Sequence, residues 1–356
     1  MADEQTFESI PAHIRRAMTP EQTAVVRHQL ARTSSGTDKA RGSNTAGDDP
    51  VAAMRADYNA ERAFWNEGGP QMASTDNFTL SLAGATVPVR IHRPVENDAL
   101  PVIIFVHGGG FTVGNLDTHD RIQRVLAAES GAAVVAVDYS LTPETVFPQA
   151  LHEVAAAAAY FAAHGQEHGI DPRRLSFAGD SAGAILSLSA SLLLRDEPHT
   201  AAQAAGLSPD QSAPRSVFDS IRSLLLYYGT YGLRDSATMR LYGGWWDGMS
   251  MADLDSMREA YYYREAQHEA NPYIDPLSAD YTRPVPPMFI VGAELDPLAD
   301  DSRALAQTLA AHGKDHEFHM EEGALHSFLH YGRMMEATRD VLTWGAEYAA
   351  ARFNIA

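Results

Sequence analysis

An α/β fold, one eight-stranded and mostly parallel sheet flanked by helices, is predicted by three features of the sequence. The run Val102-Ile103-Ile104-Phe105-Val106 is apolar without interruption, as a strand covered on both faces must be. From there onward, short apolar stretches alternate with longer helix-forming ones, the pattern of a parallel sheet with helical crossovers. Finally, Leu175-Ser176-Phe177-Ala178 leads through Gly179-Asp180-Ser181-Ala182-Gly183 into a helix-forming run, which places a serine at the apex of a strand-turn-helix.

Pro20 to Ala31 and Val51 to Trp65 read as helices. Between them Thr33 to Pro50 is rich in Ser, Gly, Thr and Asp, lacks large apolar residues and reads as a mobile loop. Thr79 to Leu82 alternates, Gly84 turns, and Val87 to Ile91 alternates again, which predicts a β-hairpin whose second strand Pro88 marks as an edge. After the strand Val102 to Val106, a helix over Asp117 to Glu129 is expected, with Asp117 as N-cap and Asp120 favourable in the first turn. Ala133 to Val137 is a strand, Gln149 to Ala163 an alanine-rich helix, Leu175 to Ala178 a strand and Ala182 to Leu194 a helix. Arg195 to Ala213 is polar, small and loop-like, and Ser223 to Tyr228 is a strand.

The alternation then stops. Gly229 to Thr282 carries helical patterns, a Gly243-Gly244-Trp245-Trp246 turn and the run Tyr261-Tyr262-Tyr263, but no strand pattern. It resumes with a strand at Met288 to Val291, a helix at Asp300 to His312, a strand at Glu317 to Met320 and a last helix from about Ser327 to Arg352.

With 356 residues the chain has room for one large domain plus an elaboration. Its net charge of −19 argues against nucleic acid and anionic membrane surfaces as partners, because no basic stripe is present to neutralise phosphates. Cysteine is absent, which excludes disulfides and thiolate metal sites and fits a reducing compartment. Met1 to Pro20 has no apolar core of a signal peptide, and no run approaches the roughly 18 apolar residues of a membrane span. A cytoplasmic protein with no membrane partner is expected.

A serine hydroxyl becomes a nucleophile when a base takes its proton and a carboxylate orients that base. In an open α/β sheet such groups collect at the carboxyl ends of strands. Ser181 sits at one such end. For the acid, Asp296 follows the strand Met288 to Val291 by a short turn. Asp300 and Asp301 suit capping of the next helix better, whereas Glu294 stays open on position alone. For the base, His326 follows the strand Glu317 to Met320 and precedes the last helix, with His330 and His319 as neighbours. The order Ser181, Asp296, His326 is a known one for such triads. His312, His316 and His319 are spaced as metal ligands on one helix would be, but the chain there runs from a helix end through Gly313 into a strand, so no metal site is expected.

A developing oxyanion needs backbone N–H donors, best supplied where glycines let the backbone approach. His107-Gly108-Gly109-Gly110-Phe111 directly follows a buried strand. The N–H groups of Gly108 and Gly109, with that of Ala182, are the candidates for the oxyanion hole, and Gly110 stands as an alternative to Gly108. His107 reads as an anchor of this loop. Without a lysine at P-loop spacing, a phosphate cradle does not fit.

With these residues in place, the sequence resembles the hormone-sensitive-lipase-like branch of the α/β-hydrolases and within it is similar to the bacterial acetyl esterases. The resemblance runs from roughly Ala60 to the C-terminus, through Glu61 to Asn66, His107 to Asp120, Asp138 to Pro148, the turn at Ser181, Tyr231 to Ser236, Gly292 to Ser302 and His326 to Met335. It implies an α/β-hydrolase fold with Ser181 as nucleophile, His326 as base and Asp296 rather than Glu294 as acid. It implies a catalytic core over 75–228 and 283–356 and a helical cap over 1–74 and 229–282, above a pocket for short acyl chains. No cofactor is implied, and a small-molecule ester is the expected partner. Trp245, Trp246 and Tyr261 to Tyr263 are candidate pocket walls, or else they pack the cap onto the core. Thr33 to Pro50 and Arg195 to Ala213 are longer and more polar than the family pattern, which bears on cap packing and self-association, a homodimer included. A hydrolase fold kept as a binding module would not need this complete a site. Hydrolysis of an amide, carbamate or lactone would use the same groups.

Overall fold

In the computed structural model, residues 2–34, 49–96, 99–207, 217–262 and 271–354 are described. The expected sheet is present, with eight strands: β1 (Ser74–Leu82), β2 (Ala85–Arg93), β3 (Leu100–Val106), β4 (Ala133–Val137), β5 (Ile170–Asp180), β6 (Ile221–Tyr227), β7 (Met288–Ala293) and β8 (His316–Glu321). Their order is β1-β2-β4-β3-β5-β6-β7-β8. The β1–β2 and β2–β4 pairs are antiparallel and all pairs from β4 onward are parallel. The fold is that of an α/β-hydrolase.

The unbroken apolar run of β3 is explained by its place in the middle of the sheet. Val102, Ile104 and Val106 face one core cluster, and Ile103 and Phe105 face the other. Burying side chains of this size contributes about 1.5–3 kcal/mol each relative to exposure. Helices α6 (Gln149–His164), α7 (Ala182–Asp196) and α11 (Ala299–Ala311) pack on the first face, and α5 (Asp120–Ser130) and α12 (Glu336–Phe353) on the second. The alanines of α6 are almost all buried, and small side chains let it lie close to α7 and the sheet.

Several expectations are corrected. Pro88 does not mark an edge, since β2 lies between β1 and β4. The Pro88 carbonyl accepts from the Asp138 N–H just past the last residue of β4. Its missing N–H forfeits only the return bond to Asp138, where the ladder is already ending. The helix expected from Asp117 starts at Asp120, because the Asp117 carboxylate turns instead to Arg90 at 2.8 Å. Asp120 does sit in the first turn, held by Arg90 and Arg124. In the stretch Arg195 to Ala213, Pro198–Ala204 forms a short helix, α8, opened by its proline; 208–213 lie outside the described residues. Thr33 belongs to the helix α3 (Pro20–Ser34), and Pro50 opens α4 (Pro50–Asn66) with Asp49 capping the Val51 N–H; 35–48 lie outside the described residues. The last helix is split into a 3₁₀ turn at Phe328–Tyr331 and α12, and the Thr338 hydroxyl donates to the Phe328 carbonyl across the break.

Two groups of helices gather near the ends of β7 and β8. Phe7 of α1 (Ala2–Glu8), Ile14 of α2 (Ala12–Ala17) and Val26 of α3 form one apolar cluster with Leu295 and Leu325. Met239 of α9 (Ala237–Tyr242) and Leu254 of α10 (Met251–Tyr262) form another with Leu298. The stretches that carry Asp296 and His326 are thereby wedged between the sheet and these helices.

Candidate active site

Ser181 follows the last residue of β5 and precedes α7, with φ 53° and ψ −118°. A non-glycine residue pays for that conformation with strain, and the turn persists because its surroundings leave no alternative. The Ser181 N–H donates to the Tyr227 carbonyl at 2.9 Å. A Cβ at Gly183 would collide with the Val106 carbonyl oxygen, and one at Gly179 with the Gly183 carbonyl, so both glycines are required by the close approach of the backbone.

The structure brings together the three residues singled out for chemistry. His326 Nε2 lies 3.0 Å from Ser181 Oγ, and its Nδ1 lies 2.7 Å from Asp296 Oδ2. Asp296 is wholly buried, and its other oxygen accepts from the Leu298 N–H at 2.8 Å. Glu294 is occupied elsewhere, accepting from the Gly323 N–H at 2.8 Å. Asp301 accepts from the Tyr231, Gly232 and Leu233 amides, and Asp300 from the Thr238 amide. His330 is buried behind the site. Burial alone would lower the His326 pKa, but the charge of Asp296 and its hydrogen bond outweigh burial and hold it above the ordinary value.

The glycine loop is built differently from the expectation. The Gly108 N–H donates to Asp180 Oδ1 at 2.9 Å and is not available to an oxyanion. Among the described residues, the amides of Gly109, Gly110 and Ala182 have no protein acceptor, and Gly110, Ser181 and Ala182 all line the same cleft. Gly109 and Gly110 have φ of 122° and 57°, a backbone region that glycine adopts without the cost a side chain would bring. Of the two alternatives, Gly110 and not Gly108 has its N–H free of a protein acceptor among the described residues. His107 does anchor the loop: its Nδ1 contacts the Gly108 carbonyl at 2.8 Å, its ring stacks on Tyr139, and the Tyr139 hydroxyl donates to its carbonyl.

Two buried carboxylates near the site escaped the sequence reading. Asp180 accepts from Gly108 and from the Tyr228 hydroxyl, and His119 Nε2 lies 3.2 Å from it. Burial would raise its pKa, but His119 and the Gly108 amide outweigh burial and keep it low. Its position in the turn beside Ser181 was the available signal. Among the described residues, His119, Asp180 and His330 are the group whose candidate metal-ligating atoms lie within 4.8 Å of one another, but the oxygens of Asp180 are already engaged by the oxyanion loop and Tyr228. His312, His316 and His319 do not converge: the first two ring nitrogens meet the Thr308 and Lys314 carbonyls and the third ring stacks on Trp344. Asp247 is the second carboxylate. Burial pushes it up to about 7, and it adds to the field that raises His326. A turn residue after two tryptophans gave no sign of this in the sequence.

The cleft beside Ser181 has a volume of about 60 Å³ and apolar walls from Met249, Leu254, Met257, Ile274 and Leu298, with Phe111 and Tyr262. The expected walls are corrected. Tyr261 turns inward and stacks on Phe111 with ring centroids 3.9 Å apart. Trp246 packs against the N-terminal helices, and Trp245 is about half exposed. Tyr263 lies outside the described residues.

A serine on a strained turn, in line with a histidine and a buried aspartate, is an arrangement that suits acyl transfer on an α/β sheet. Residues 103–330 match the family model described as the alpha/beta hydrolase fold. The chain belongs to that family. Among solved structures, the chain is similar to the Pyrobaculum calidifontis esterase, with 25% identity over 94% of this chain and 98% of that one and a TM-score of 0.77. It is similar also to a thermophilic carboxylesterase cloned from a metagenomic library, with 26% identity, 86% and 98% coverage and a TM-score of 0.76. An α/β-hydrolase enzyme from the metagenome of Lake Arreo matches at 26% identity, 95% and 99% coverage and a TM-score of 0.80. The chain is an esterase-type hydrolase of the hormone-sensitive-lipase-like branch, acting on carboxylic esters.

Proposed function

We propose that this hydrolase is a serine carboxylesterase for short-chain, acetyl-type acyl esters. The observation that carries the reading is the continuous line from Ser181 Oγ through His326 to Asp296, at 3.0 and 2.7 Å. Neutral His326 takes the Ser181 proton through Nε2 as Oγ attacks the ester carbonyl, while Asp296 holds the Nδ1–H and the charge that forms on the ring. The Gly109, Gly110 and Ala182 amides receive the oxyanion. His326 returns the proton to the departing alcohol, then takes one from water as the acyl-enzyme is hydrolysed.

The short-chain preference draws support from the size of the cleft, which leaves little room beside Ser181 for a long acyl chain. A core over 75–228 and 283–356, a cap over 1–74 and 229–282, a small-molecule ester as partner and a cytoplasmic setting belong to the same proposal. Ser181→Ala is expected to lower turnover of a chromogenic acetyl ester by a factor on the order of 10⁴ or more; wild-type turnover in the purified variant would refute the assignment. A series from acetate to long-chain esters should peak at the short end, and a maximum on long chains would overturn the acyl preference.

A further inference from the structure

Away from the Ser181 cleft, on the side of the sheet covered by α5 and α12, lies a cavity of about 200 Å³ whose walls include Trp65, Asn66, Arg121, Leu329, Gly332 and Arg339. This is well above the roughly 10–15 Å³ that admits one water. Arg121, in the first turn of α5, is half-buried, and its Nε is fully buried without a hydrogen-bond partner among the described residues. Glycines flank it on both sides. A Cβ at Gly69 would lie 3.1 Å from Arg121 Cγ, and one at Gly332 only 2.8 Å from its Nη1. The backbone has made room for this guanidinium.

The charged groups acting on Arg121 are Arg124, Arg333 and Arg339, all of them cations, and together with burial they push its pKa down. Arg124 and Arg333 have their own carboxylates, Asp120 and Glu67, each at 2.7 Å. Arg339 donates to the Gly332 carbonyl at 3.0 Å. Glu129 is also on the wall, but it is solvent-exposed and is not among the charges acting on Arg121. Arg121 and Arg339 therefore bring positive charge to one cavity with no ion pair of their own among the described residues. That is unexpected in a chain with 46 acidic and 27 basic residues. A desolvated guanidinium without an anion is unfavourable, and its planar fork matches the oxygens of a phosphate.

We propose that this cavity is a binding site for a phosphate group, free or carried by a small metabolite, with Arg121 at its inner end and Arg339 at its mouth. The site is separate from the Ser181 cleft and does not depend on the esterase reading. Leu329, His330 and Gly332 on its wall lie on the stretch that begins at His326.

The test is thermal denaturation and titration calorimetry of the full chain with sodium phosphate and with a phosphomonoester, against sodium chloride at matched ionic strength. A saturable rise in the denaturation midpoint with phosphate is expected, with affinity reduced about tenfold or more in Arg121→Gln and in Arg339→Gln. Arg339→Gln changes an exposed residue and keeps the test sound if Arg121→Gln does not fold. Both variants should keep wild-type turnover of a neutral ester. Tighter binding of the monoester than of phosphate identifies a metabolite as the source, and the reverse identifies the free ion. A phosphate response no larger than that of chloride, or equal responses in wild type and Arg339→Gln, overturns the proposal.

Discussion

Asp180 Oδ1 accepts the Gly108 N–H at 2.9 Å, which ties the residue before Ser181 to the loop proposed to supply the oxyanion donors. The two turns needed for acyl transfer come from strand ends far apart in sequence, and this bond fixes one against the other. Asp180→Ala, which deletes the acceptor that an asparagine would keep, should therefore lower kcat with KM little changed, since the donors matter most once the oxyanion forms. A loss on the order of 10²-fold is expected, comparable to losing one oxyanion donor. Steady-state kinetics on a neutral acetyl ester check it, and an unchanged kcat would show that the loop holds its shape without the bond.

The backbone of Ser181 supplies a second expectation. At φ 53° and ψ −118° a glycine is relaxed where serine is strained. Ser181→Gly should abolish turnover and yet raise stability by about 1 kcal/mol, the lower end of the strain held at such positions. Chemical denaturation of wild type and variant side by side measures this. A variant less stable than Ser181→Ala would mean that the turn carries no usable strain.

The pH profile follows from the base. His326 must be neutral to accept the serine proton, and Asp296 raises its pKa despite burial. The acid limb of kcat/KM should accordingly lie above the ordinary histidine value, with activity falling as pH drops through it. Asp247, which burial pushes up to about 7, adds to the same field. Asp247→Asn should move the limb to lower pH, and a limb that stays in place or moves up would remove Asp247 from the account.

Adjacent tyrosines should part company on mutation. Tyr261 is buried against Phe111, so Tyr261→Ala should cost about 3–5 kcal/mol of stability, as other buried aromatic truncations do. Tyr262 lines the cleft, so Tyr262→Ala should change the ratio of kcat/KM between acetyl and longer acyl esters. An altered acyl ratio in Tyr261→Ala with none in Tyr262→Ala would reverse the assignment.

The parts legible in the sequence were those set by local pattern. Unbroken apolar runs mark strands covered on both faces, and the glycines around Ser181 mark a turn that tolerates no Cβ. The missed parts depend on neighbours remote in sequence. Pro88 reads as an edge until β1 is seen to lie outside β2. Gly108 reads as a donor until Asp180, arriving from another strand, takes its N–H. Successive residues on a helix point about 100° apart, so a run of tyrosines says nothing about which ring faces the cleft until the helix is docked. Glu294 is nearer the strand end than Asp296, and only contacts remote in sequence separate their uses: Glu294 accepts from the Gly323 amide, and Asp296 meets His326.

The N-terminal helices have a thermodynamic consequence. The Gln22 side chain accepts the Leu325 N–H at 3.1 Å, immediately before His326, and the Thr19 N–H donates to the Gly323 carbonyl. The geometry of the base is thus conditional on the docking of a segment that begins the chain. Linkage makes any coupling reciprocal: an acyl group on Ser181 that is held better with those helices docked must by the same free energy favour their docking. Such a coupling would be read as a change in hydrogen-exchange protection of the Thr19 and Leu325 amides when Ser181 is acylated.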